Sequence, residues 1–286
     1  KNKLKGLLGI VPPDNRVDWA TQNAGTGALT LNSAPLEVGT ELEERLFSRT
    51  DCVVLTSATL ADQGKYEYIR KRIGLTDGEE LLLDSPFDYP NSALLLVPSD
   101  MPEPYDNSYS RMLTQTLIGL GESLKGRTLA LFTSYSAVKV AYKAIRDSLE
   151  ALDIKVLAQG IDGPPARLLD RFVDDPRTVL LGTSSFWEGV DLSGGILKAL
   201  VLTRLPFNVP TEPVFAARAG LFEDSFREYA VPQAVLRFRQ GFGRLIRSTG
   251  DRGVVAVLDS RVLRRNYGKI FLESIPECTM KRDPLA

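Results

Sequence analysis

Beyond Asp106 the chain alternates short, unbroken apolar runs with longer stretches of helical period, and few folds accommodate that pattern. Helix is expected from Ser108 to Leu124, strand from Thr128 to Phe132 and helix from Ser136 to Leu152. Strand Lys155 to Ala158, helix Pro165 to Val173, and strands Thr178 to Leu181 and Ala199 to Leu202 follow. Helical segments around Pro213 to Leu221 and Pro232 to Ser248 precede strand Val254 to Leu258 and a last helix from Val262 to about Glu273. The apolar runs show no polar alternation, so these strands are buried on both faces. Such strands, separated by amphipathic helices, build a parallel sheet covered on either side, an α/β fold. In sheets of this kind function lies at the carboxyl ends of the strands.

The first 105 residues read differently. Arg16 to Thr21 and Ala28 to Asn32 are candidate strands, and Gly39 to Phe47 is a helix with Glu41, Glu43 and Glu44 near its positive end. Cys52-Val53-Val54-Leu55 reads as a buried parallel strand that empties into Thr56-Ser57-Ala58-Thr59-Leu60. A short helix, Tyr66 to Ile73, and a strand, Ala93 to Val97, lie in a connection punctuated by Pro86, Pro90, Pro98, Pro102 and Pro104, which reads as a domain junction.

The absence of histidine removes Ser-His-Asp and Cys-His nucleophile systems, His-liganded zinc and histidine general bases. Two distant cysteines, Cys52 and Cys278, exclude a disulfide framework or a cysteine-held cluster within this chain and suit a reducing cytoplasm. A net charge of −1 keeps any nucleic-acid surface local. No apolar run reaches membrane length, no signal peptide is read, and the opening Lys1 suggests an excised piece of a longer protein. There is no G-x-x-x-x-G-K-[ST] loop: Gly64-Lys65 is followed by Tyr66, and Gly268-Lys269 by Ile270. A phosphate ligand would therefore lack the usual lysine-bearing cradle on this chain.

Strand ends locate the candidate chemistry. Strand Thr128 to Phe132 runs into Thr133-Ser134-Tyr135 ahead of a helix, either a phosphate seat at a helix amino terminus or an ordinary N-cap. Strand Thr178 to Leu181 runs into Gly182-Thr183-Ser184-Ser185-Phe186-Trp187-Glu188-Gly189-Val190-Asp191. That loop joins hydroxyls, a tryptophan and two carboxylates; the alternative is a crossover loop with a buried tryptophan.

A further candidate is Gln240-Gly241-Phe242-Gly243-Arg244-Leu245-Ile246-Arg247. On the helix expected from Pro232 to Ser248, Val235, Phe238, Phe242, Leu245 and Ile246 gather on one arc, and Arg237, Gln240, Arg244 and Arg247 on the opposite arc. Periodicity alone leaves a solvated basic face as the alternative to an anion site. Gly241 and Gly243 each cost about 1 kcal/mol relative to Ala inside a helix, which a merely soluble face does not require. No acidic residue lies between Ala230 and Thr249. Arginines without local acids want an anion, and their planar fork suits phosphate.

In order and spacing these stretches resemble superfamily 2 helicases of the DinG/XPD type, the bacterial DinG branch fitting better. Thr56 to Leu60 is similar to helicase motif III, Leu131-Phe132-Thr133-Ser134-Tyr135 to motif IV, Gly182 to Asp191 to motif V, and Gln240 to Arg247 to the Q-x-x-G-R-x-I-R form of motif VI. Ser85-Pro86-Phe87-Asp88-Tyr89 and Leu258-Asp259-Ser260-Arg261 point the same way. The resemblance implies a second RecA-like motor domain over residues 61–286, preceded over residues 1–60 by the C-terminal remnant of a first. The family's Walker A loop, D-E-A-H box and iron–sulfur cysteines are missing from this sequence. The resemblance places them upstream, and any iron–sulfur cluster with them.

The activity so implied is ATP-dependent translocation on single-stranded DNA, 5′→3′, in DNA repair or replication, by a monomeric cytoplasmic protein with no membrane partner. ATP and Mg²⁺ would be shared with the first motor domain. Arg244 and Arg247 would reach the γ-phosphate as arginine fingers, and Gln240 would fix the same helix face against the nucleotide. Glu188, Gly189, Asp191 and Gly243 would lie on the nucleotide side. Ser134, Tyr135 and Thr183 would meet DNA phosphates, with Tyr135 or Trp187 able to stack on a base. Lacking the Walker half, this chain alone should not hydrolyse ATP. Two other classes stay open. One is a non-catalytic nucleic-acid-binding module of RecA-like fold, against which near-neutral charge counts. The other is a Rossmann-type transferase, against which the lack of G-x-G-x-x-G after an early strand counts.

Overall fold

The computed structural model describes residues 15–23, 25–57, 59–61, 64–187 and 195–285, less the side chains of Ser184 and Trp187. Glu188, Gly189 and Asp191 therefore lie outside the described residues, as does Ala58. The chain forms two compact units, residues 1–84 with 208–233, and residues 85–207 with 234–286.

In the first unit, β1 (Arg16–Gln22) and β2 (Leu29–Pro35) form an antiparallel hairpin with Arg16 opposite Pro35. The Asn23 side chain closes its turn, accepting from the N–H groups of Gly25 and Thr26 at 2.9 Å each. Helix Pro213–Ala219 is capped by Glu212, whose carboxylate accepts from Val214 and Phe215 N–H. Arg218 of that helix donates to the Pro35 and Leu36 carbonyls at 3.1 and 2.9 Å, tying it to the end of the hairpin. The strand expected at Cys52–Leu55 does not form, and Val54 is 81% exposed. An apolar run becomes a buried strand only where the chain brings it against a partner strand, and the two-stranded sheet of β1 and β2 does not include this run.

The second unit holds a seven-stranded sheet. Its strands are β3 (Ala93–Leu96), β4 (Thr128–Leu131), β5 (Lys155–Ala158), β6 (Thr178–Gly182), β7 (Ala199–Leu202), β8 (Gly253–Val257) and β9 (Thr279–Lys281), ordered β5-β6-β4-β7-β8-β3-β9. Each adjacent pair is parallel. β4 and β7 are buried at all four positions, as the unbroken apolar runs require. Ala130, Val156, Val179, Val201 and Ala256 share a core with helices Tyr109–Ser123 and Tyr135–Glu150. Alternate residues such as Leu129, Leu180, Leu200 and Val255 point to the other face and are also fully buried. Each such side chain contributes about 1.5–3 kcal/mol on burial, which sustains strands only four residues long.

Two expected helices change. The helix read from Pro232 to Ser248 runs Val231–Phe242. Arg244 N–H then turns back to Gly241 O at 3.0 Å and Leu245 N–H to Phe242 O at 3.2 Å. These three-residue closures end the helix at its glycine pair, so Arg244 and Arg247 ride on the turn that follows, not on a helical arc. The apolar face is nonetheless as read: Val235, Phe238, Phe242, Leu245 and Ile246 are all buried. The last helix splits into Arg261–Arg264 and Gly268–Glu273, because Arg265 takes an extended conformation at φ −102°, ψ 144°.

Candidate functional site

At the carboxyl ends of β4, β5 and β6 the structure gathers a hydroxyl cluster around one amide. Ser134 is the N-cap of helix Tyr135–Glu150, its Oγ accepting from Ala137 N–H at 3.2 Å and lying 3.1 Å from Ser136 Oγ. Gln159, directly after β5, is 4% exposed. Its Oε1 accepts from Thr183 N–H at 2.8 Å and Thr183 Oγ1 at 3.0 Å, while its Nε2 donates to Tyr135 Oη at 3.0 Å and Ser185 Oγ at 2.6 Å. Thr183 is buried, and Tyr135 is 53% exposed. Of the DNA-facing residues expected, Ser134, Tyr135 and Thr183 thus meet at one edge of the sheet. Trp187 closes the short helix Ser184–Trp187 beside them, its side chain outside the described residues.

The arginine turn lies at the other end of the strands. Asp251, two residues before β8, accepts through Oδ2 from Arg247 N–H at 2.9 Å and Ser248 N–H at 2.8 Å. Leu245 packs beside the amino end of β8: a Cβ on Gly253 would lie 2.7 Å from its Cδ1. Burial opposes the Asp251 charge, but the bonds from Arg247, Ser248 and Gly195 outweigh it and hold the carboxyl below its usual range. The turn is pinned by its backbone. Arg247 is exposed, and Arg244, Gln240 and Gly243 are half-buried.

A third network joins the loops after β7 and β8. Asp259, fully buried, accepts from Leu205 N–H at 2.8 Å and grips Arg261 through Nε at 2.9 Å and Nη2 at 2.6 Å. Tyr109 donates to the Thr203 carbonyl, and burial pushes its hydroxyl pKa up, which keeps the donor protonated. Arg204 lies over both the Tyr105 and Tyr109 rings, at 5.5 and 5.4 Å from their centroids.

Sequence reasoning missed Gln159 and Asp251. The signal for the first is a lone amide between an apolar strand and Gly160, and for the second an acid just past the arginine run. Among the described residues no group of three or more His, Cys, Asp or Glu can hold a metal ion, and no helix is long and apolar enough to cross a membrane. Cys52 is exposed and Cys278 half-buried, both free thiols.

The comparisons with known proteins agree with this architecture. The chain is 34% identical over 275 residues to the Bacillus subtilis 3'-5' exonuclease DinG, covering 92% of this chain and 30% of that protein. It is 36% identical over 285 residues to the ATP-dependent DNA helicase YoaA of Haemophilus influenzae, covering 98% and 44% respectively. Against the ATP-dependent helicase DinG of Mycobacterium tuberculosis H37Rv the identity is 37% over 283 residues, covering 96% and 42%. The chain thus spans less than half the length of these curated relatives. A solved structure of XPD in the apo form superposes with a TM-score of 0.66 at 17% identity, covering 97% of this chain and 56% of that one, a likeness of fold. The profile of the helicase C-terminal domain matches residues 117–278, a span that contains both the hydroxyl cluster and the arginine turn, and the chain belongs to that helicase C-terminal domain family.

Proposed function

We propose that this chain is the C-terminal motor part of an ATP-dependent DNA helicase that translocates 5′→3′ on single-stranded DNA, acting in repair or replication. The observation that supports it most is the placement of two distinct clusters, hydroxyls at one end of the strands and a pinned arginine turn at the other, inside residues 117–278. In this reading DNA lies across the carboxyl ends of the strands. Tyr135, Ser134 and Ser185 offer donors there, and buried Thr183 acts through Gln159. Trp187 is a stacking candidate, and Glu188, Gly189 and Asp191 adjoin the nucleotide side. Residues 1–60 are proposed as the remnant of the first motor domain and 61–286 as the second.

ATP fits the arginine turn in one respect. Asp251 binds its backbone N–H groups, which sets the exposed Arg247 on a fixed base. Arg244 and Arg247 would face the charge that develops as the γ-phosphoryl leaves, a role with an effect of about 10³–10⁵ in rate for an arginine finger. Mg²⁺ and the phosphate cradle are proposed to come from the first motor domain, since no metal-holding group appears among the described residues and no Walker lysine in the sequence. Any iron–sulfur cluster of the complete protein is likewise proposed to be held outside this chain, whose sequence has two distant cysteines. The test is ATP hydrolysis by the complete protein with and without single-stranded DNA. Strong stimulation supports the helicase reading; binding of DNA with no hydrolysis would instead favour a non-catalytic module.

A further inference from the structure

The four hydrogen bonds of Gln159 decide which way two hydroxyl hydrogens point. A backbone N–H can only donate, so the amide atom 2.8 Å from Thr183 N is the oxygen, and the other terminal atom is the NH₂ group. That nitrogen spends its two hydrogens on Tyr135 Oη and Ser185 Oγ, at 3.0 and 2.6 Å. A hydroxyl that accepts from Nε2 must direct its own hydrogen elsewhere. Among the described residues no acceptor takes either hydrogen, and both Tyr135 and Ser185 are exposed. The Tyr135 ring is also set in place from behind: Gly160 has φ +79°, and a Cβ there would lie 3.4 Å from the ring's Cδ1.

We infer that Gln159 is a positioning residue that aims the hydroxyl hydrogens of Tyr135 and Ser185 outward as a pair of donors for phosphate oxygens of single-stranded DNA. The inference rests on the helicase reading above and gives Gln159 a task within it, the aiming of two of its donors. An amide suits the role and a carboxylate does not. With two acceptor oxygens, the side chain introduced by Gln159→Glu would still satisfy both Thr183 groups but would draw the Tyr135 and Ser185 hydrogens inward, away from the strand.

The experiment is a double-mutant cycle in the complete protein, read as affinity for a labelled oligothymidylate. Tyr135→Phe, Ser185→Ala and Gln159→Glu should each weaken binding, Gln159→Glu by about tenfold, since it withdraws both donors and adds a negative charge. Gln159→Ala frees the hydroxyls to rotate and should weaken binding less. The cycle separates aim from charge: in the Gln159→Glu background Tyr135→Phe and Ser185→Ala should cost almost nothing, because those hydrogens are already turned away. Equal costs in both backgrounds, with DNA binding by the unsubstituted protein intact, would overturn the positioning role alone. No DNA binding by the unsubstituted protein would overturn the helicase reading and this inference together.

Discussion

Asp251 is the residue whose loss should separate the arginine turn from the rest of the fold. Its carboxylate is 3% exposed and takes Arg247 and Ser248 N–H through one oxygen, with Gly195 N–H as a further donor. In Asp251→Asn one carbonyl oxygen can still face Arg247 and Ser248, but as a neutral acceptor, and the amide NH₂ then confronts the Gly195 donor. Hydrogen bonds to a charged acceptor contribute about 1.5–3 kcal/mol against about 0.5–1.5 for neutral ones, and a buried unsatisfied donor costs about 1–3. The change should therefore destabilise the chain by about 3 kcal/mol, a fall in Tm of roughly 6–12 °C for a domain of this size class. The pH dependence has a definite sign. The folded carboxyl is held below its ordinary value of 3.8, so its contribution is fully present above that value and is lost as pH falls through the folded pKa. Urea unfolding of both proteins at pH 7, 5 and 3 should show a constant gap at the first two and a smaller one at the third. Equal stability at pH 7, or a gap that widens in acid, would refute the assignment of Asp251 as the anchor of this turn.

In the complete protein, Arg247→Ala should lower DNA-stimulated ATP turnover by about 10³ while leaving single-stranded DNA affinity nearly unchanged, since a finger acts mainly in the transition state. Arg247→Lys should recover little of that loss, because an ammonium cannot reproduce the guanidinium fork, and Arg237→Ala should cost less than either in the same assay. The 286-residue chain alone, given Mg²⁺, ATP and single-stranded DNA, should release phosphate no faster than buffer; turnover that co-purifies with it would sink the divided-motor proposal. Gly126→Ala should destabilise the chain by more than about 2 kcal/mol in urea unfolding, since φ is +86° there and a Cβ would lie 2.3 Å from Thr178 N.

What the sequence made legible, and what it hid, follows from how local each cause is. Strands Lys155–Ala158 and Ala199–Leu202 have the bounds read from their apolar runs, because a strand buried on both faces carries its own signature. β9 was invisible for the opposite reason: Thr279, Met280 and Lys281 are all exposed at the sheet edge, so nothing in their composition marks them. Cys52–Leu55 shows that an apolar run proposes a strand while tertiary pairing decides, since this run joins neither sheet. The arginine segment combines both cases. Its apolar period continues through Leu245 and Ile246, which are buried as read, yet the backbone leaves the helix at Phe242 and the arginines are carried by a turn that Asp251 holds. Gln159 is the least local of all. Its four hydrogen bonds go to Tyr135, Thr183 and Ser185, 24 to 26 residues away, and these meet only because β4, β5 and β6 lie side by side with their carboxyl ends together. A motif can name the hydroxyls, but the direction in which they point is a property of the sheet that brings the amide between them.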